Sequence, residues 1–144
     1  MMRVGFLPSD FNPMILMLGE AEDIRALGGV LRRFARDGAD VAFATLGFCQ
    51  VVGKDVLLTA ASGPAGVQSC EDHAFIWRIP PDLAASFADR LDDLAEPGRV
   101  AGSEALDCGT DDGIAVKVSR GEYTDDFLGP TSPGGRLPGE GVAP

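Results

Sequence analysis

Apolar residues recur at helical spacing in two stretches of the chain and as short runs elsewhere. Over residues 22–36, Ile24, Leu27, Leu31 and Phe34 fall three, four and three positions apart, which lines one face of a helix. Glu22 and Asp23 in its first turn and Arg32, Arg33 and Arg36 toward its end suit the helix macrodipole. Gly38 supplies the left-handed stop. Over residues 82–96, Leu83, Phe87, Leu91 and Leu94 make a second stripe. Pro80-Pro81 sets its entry, Asp82 stands at the cap, and Pro97-Gly98 ends it.

Strand-like runs surround both helices. Residues 14–18 lead into the first helix and residues 75–79 into the second. After the first helix come runs at 41–46, 48–52 and 55–61, the last two separated by a Gly53-Lys54 turn. After the second come 104–108 and 114–120, joined by a loop with Asp107, Asp111 and Asp112 around Gly109–Gly113. Aspartate and glycine are what a hairpin turn needs, so turn chemistry is favoured there over a cation loop. Residues 4–7 add a candidate edge strand.

A shift of sixty positions overlays the two halves. Ile15 falls on Phe75, Leu27 on Phe87, Leu31 on Leu91, Phe34 on Leu94 and Val56 on Val116. The pattern predicts an α+β domain over residues 1–127: an antiparallel sheet with two helices on one face, built from a duplicated βαββ unit with repeats at 12–66 and 74–124. Residues 128–144, dominated by glycine and proline, are expected to form a disordered tail. Gly28-Gly29 interrupts the first helix without the spacing of a phosphate loop, and close packing is the expected reason.

Composition narrows the function. With 22 acidic and 12 basic residues the 144-residue chain carries a net charge of −10. Such a chain lacks the cations that displace phosphate counterions and the polybasic patches that hold anionic membranes, so neither nucleic acid nor membrane is an expected partner. No apolar run has the length of a signal-peptide core or a membrane span, and a cytoplasmic location is expected. Three cysteines, an odd number without tight pairing, read as reduced thiols.

Candidate chemistry is sparse. Cys49, Cys70, His73 and Cys108 match a tetrahedral zinc set by type, and Cys70 and His73 are spaced as a C-x-x-H pair. No C-x-x-C knuckle accompanies them, so core thiols and a loop histidine are the favoured reading. His73 is the only histidine, and no Gly-x-Ser-x-Gly elbow occurs. No catalytic residue and no cofactor are therefore assigned.

The acidic residues are better placed. Asp89, Asp92, Asp93 and Glu96 load the end of the second helix, where the dipole prefers cations. Under the sixty-position shift, Arg32, Arg33 and Arg36 fall on Asp92, Asp93 and Glu96, so the two faces are expected to meet, within one chain or across a homodimer. Glu122, Tyr123, Asp125 and Asp126 form a second candidate partner-binding stretch, with a clasp onto the domain as its competing reading. Together these features suggest a non-enzymatic interaction module, inhibitor- or immunity-like, that engages a basic protein surface or itself. The alternative is a small metal- or ligand-binding enzyme on a duplicated βαββ scaffold.

Overall fold

The computed structural model describes residues 1–8, 13–60, 65–70, 74–99, 101–106 and 114–121, with Cys70 described by its backbone. The elements follow in the order β1 Met2–Leu7, β2 Met14–Leu18, α1 Ala21–Asp37, β3 Val41–Ala42, β4 Cys49–Val52, β5 Asp55–Thr59, β6 Gly66–Cys70, β7 Ala74–Arg78, α2 Pro81–Leu94, β8 Gly102–Ala105 and β9 Ala115–Arg120. A 3-10 turn at Phe43–Thr45 follows β3. Residues 128–144, expected as a tail, lie outside the described residues.

The α+β class holds, but the strands divide between two mixed sheets instead of forming one antiparallel sheet. One sheet has the order β4-β1-β2-β9-β8 and the other β3-β5-β7-β6. β4 and β5 turn at Gly53, with φ of 84°, as its position between two apolar runs predicts. They then part into different sheets, because β4 pairs with β1 while β5 pairs with β7. β1 is interior rather than an edge, held between β4 and β2. Only residues 41 and 42 of the predicted run at 41–46 are strand. Asp55 Oδ1 accepts from the amide of Ala44 at 2.9 Å and Thr45 Oγ1 donates to Ala42 O at 2.6 Å, which curls the backbone there. β6 is a strand without an apolar run to announce it, since Gln68 and Ser69 are exposed.

The strand registers follow the sixty-position relation. β2 lies parallel to β9, with Met14 opposite Ala115, and β7 lies parallel to β5, with Ala74 opposite Asp55. Adding sixty to Met14 gives Ala74, and adding sixty to Asp55 gives Ala115, so one register is the image of the other. The two final strands are exchanged: β5 of the first half sits beside β7 of the second, and β9 sits beside β2. β1–β2 matches β6–β7, and β3–β5 matches β8–β9, all antiparallel. β3 and β8 correspond with three further residues inserted, so that Val41 and Ala42 match Glu104 and Ala105.

Both helices and the inner faces of both sheets share one core. Ile24, Leu27, Leu31 and Phe34 of α1 meet Ala84, Phe87, Leu91 and Leu94 of α2, together with Val4, Ile15, Val56, Trp77 and Val118 from the strands. Phe6 stacks on Phe75 at 4.9 Å between ring centroids, joining the sheets. β2 is apolar throughout because it is central: Ile15 and Met17 enter this core, while Leu16 and Leu18 form a second cluster with Leu7 and Met14.

The helices cross at Gly28. A Cβ there would lie 3.5 Å from Asp92 Oδ1 and 3.7 Å from Ala88 O. Ala88 is the sixty-position equivalent of Gly28, so the crossing brings equivalent residues together. Gly29 has nothing within 4 Å of its Cβ position. Gly29→Ala is therefore expected to raise stability by about 0.5–1 kcal/mol, through helix propensity and a stiffer unfolded chain. A urea denaturation midpoint at or below that of the parent would contradict this.

Candidate functional site

The C-terminal end of α2 joins features that local rules would keep apart. The helix enters on Pro81 at its first position, with Asp82 in its first turn but no side-chain cap. Its last turn carries Asp92 and Asp93 and no basic residue. Negative side chains beside free carbonyls at a helix C-terminus repel one another, and the fold answers with arginines from elsewhere. Arg25 Nη2 donates to Ala95 O at 3.0 Å, and Arg120 Nη1 donates to both Leu94 O and Glu96 O at 2.9 Å. Arg99 Nη1 reaches Asp93 O at 3.5 Å. These groups satisfy carbonyls that the helix itself leaves open.

Arg32 of α1 joins the same region. Its Nη2 bonds Asp92 Oδ2 at 2.6 Å and Asp89 Oδ1 at 2.9 Å. These hydrogen bonds, the one to Asp92 first, push the guanidinium pKa further above its ordinary value. Arg32 and Asp92 thus meet within the chain, as the shifted alignment suggested, whereas Arg33 and Arg36 form no ion pair with Asp93 or Glu96 among the described residues. Asp89 and Asp92 remain exposed while holding Arg32, and Asp93 and Glu96 are exposed beside them. Glu122, Tyr123, Asp125 and Asp126 lie outside the described residues.

On its other flank α2 is closed by Arg90. Its Nε bonds Glu104 Oε1 at 3.1 Å and its Nη2 bonds Ala105 O at 2.8 Å, which ties the helix to β8. The guanidinium also lies 5.8 Å from the centre of the Phe87 ring. At the matching place in the first half stand Val30, Val41 and Ala42, and here α1 and β3 leave an open hollow of about 260 Å³. Phe34 and Leu46 extend its apolar wall, and Arg33, Asp37, Asp40 and Thr45 stand around it. Asp40 Oδ1 accepts from Thr59 Oγ1 at 2.7 Å, and Asp37 Oδ1 from the amide of Ala39 at 3.0 Å. Arg90, Arg120 and this hollow belong to no motif in the sequence. The available signal was a charge substitution at shifted positions: Arg90 against Val30, and Arg120 against Ala60.

The zinc set is not assembled among the described residues. His73 and Cys108 lie outside them, and Cys70 is placed by backbone in β6. Among the described residues no three His, Cys, Asp or Glu side chains cluster as metal ligands. Cys49 is a half-buried free thiol. Burial, then Asp23 and Asp55, push its pKa from 9.0 up to about 12. Its protonated form is the one the fold favours. That contribution to stability is full below pH 9 and is lost as pH rises through about 12. At pH 8, iodoacetamide is expected to alkylate Cys49 at least about a hundredfold more slowly than a free cysteine peptide, since the thiolate is the nucleophile. Peptide-resolved mass spectrometry reads this, and labelling at the free-peptide rate would contradict it.

Comparison of the chain with protein-family models, with curated proteins and with solved structures finds no match in any of the three.

Proposed function

We propose that the protein is a non-enzymatic interaction module whose acidic surface engages a basic protein surface. The observation that carries this reading is the division of charge around α2. Five guanidinium groups, those of Arg25, Arg32, Arg90, Arg99 and Arg120, are bonded to the chain's own carbonyls and carboxylates. Asp82, Asp93 and Glu96 stay exposed. Around α2 these arginines are engaged by the chain's own acceptors while these carboxylates stay exposed, on a chain of net charge −10. Such a surface speeds encounter with a cationic partner and rejects acidic ones. The matching strand registers of the two halves support an internal duplication as the origin of this scaffold.

Capture from the native cell with the full chain and with Asp93→Lys/Glu96→Lys tests the reading. The expected result is one stoichiometric basic protein, released as salt shortens the reach of surface charge and absent from the variant capture. Solution mass measured alongside separates self-association from a foreign partner. Failure to retain a basic protein, or equal retention by the charge-reversed variant, overturns the proposal.

A further inference from the structure

The two halves answer the same structural problem differently, and the difference leaves a vacancy of defined chemistry. Each half places a helix beside a short edge strand, α2 beside β8 and α1 beside β3. In the second half the gap is filled from within. Arg90 crosses it, with its guanidinium on Glu104 and on the carbonyl of Ala105. In the first half the arginine is replaced by Val30 and the glutamate by Val41, and the gap is a hollow of about 260 Å³.

We propose that this hollow is a docking site for an arginine side chain of a partner protein. Val30, Phe34 and Val41 offer an apolar wall for the aliphatic stem, as long basic side chains prefer. Asp37 and Asp40 supply carboxylates for the guanidinium against the single cation of Arg33. Each carboxylate has one oxygen engaged by the chain, by the Ala39 amide and the Thr59 hydroxyl, and a carboxylate oxygen pair accepts several donors. The C-terminal end of α1 adds its own negative potential. An arginine is the occupant that these groups fit, although its carboxylates would come from positions 37 and 40, where the second half uses Glu104. A planar guanidinium can bond a carboxylate through two donors at once, which a compact ammonium does less well.

This inference rests on the reading of the protein as an acceptor of basic partners but concerns a different face. The α2 carboxylates can hold a partner whether or not the hollow takes an arginine. The probe is N-acetyl-arginine-N′-methylamide, titrated into the full chain and followed by amide chemical shifts. Saturable shifts at Val30, Phe34 and residues 40–46 are expected, with a dissociation constant on the order of millimolar. The blocked leucine and lysine amides should bind at least about fivefold more weakly, lacking the charge and the fork respectively. Val30→Arg/Val41→Glu copies the second half into the first and should weaken probe binding at least about tenfold by filling the site. Asp40→Asn, at an exposed position, gives the same reading if that variant fails to fold, with binding weakened about threefold or more. Absence of saturable shifts, equal binding of the leucine or lysine amide, or undiminished binding by the folded variants overturns the proposal.

Discussion

Replacing Trp77 by alanine is expected to cost about 3–5 kcal/mol of folding free energy, the largest loss from any single side chain in this fold. Trp77 is fully buried and ranks first by size among the fully buried side chains. It stands on β7 with Leu58 of β5 on one side and Val67 of β6 on the other. Its ring lies 6.2 Å from Phe43 and 6.4 Å from Phe87, between centroids. Phe43 belongs to the first half of the chain and Phe87 to the second, so the indole is a joint between halves. Truncation removes its transfer free energy and opens a cavity that two sheets and a helix cannot all close. Trp77→Phe should cost far less, about 1–2 kcal/mol, because the indole N–H has no partner among the described residues and its removal relieves an unmet donor. Urea denaturation of the two variants reads both values. A loss below about 1 kcal/mol for the alanine variant would contradict this packing.

Arg120→Met is expected to cost about 2 kcal/mol, the scale of hydrogen bonds made by a charged donor. One nitrogen of Arg120 serves the carbonyls of Leu94 and Glu96. Methionine keeps most of the apolar stem and removes both bonds together with the charge facing the helix end. At roughly 2–4 °C per kcal/mol for a chain of this size, the midpoint of thermal unfolding should fall by about 5 °C. Amide exchange should quicken in the last turn of α2 before it does in the core. An unchanged midpoint would show that solvent satisfies those carbonyls equally well.

The same residues show how far the sequence could be read. Both amphipathic helices were legible because one stripe faces a core in each, and α1 ends at Gly38 with φ of 67° as its position suggests. The sixty-position likeness of pattern, which the strand registers follow, was visible in Ile15 against Phe75 and in Val56 against Val116. The exchange of β5 and β9 was not. Two equivalent strands present equivalent patterns, so periodicity cannot say which one lies beside β2. Three-dimensional closure decides that choice. The acid-loaded end of α2 violated a local rule whose remedy lay 26 and 70 residues away, in Arg120 and Arg25. The hollow was hidden for a related reason. It is a difference between two halves, and only their superposition shows that Val30 stands where Arg90 fills.

Interstrand contacts measured by nuclear Overhauser effects in the full chain test this architecture most directly. Contacts are expected between the backbones of residues 14–18 and 115–119, and between 74–78 and 55–59, in the registers Leu16 to Lys117 and Ile76 to Leu57. Contacts that instead join residues 14–18 to 55–59 and 74–78 to 115–119 would mean that each half keeps its own last strand. That result would contradict the exchanged pairing and, with it, the equivalence from which the arginine site was inferred.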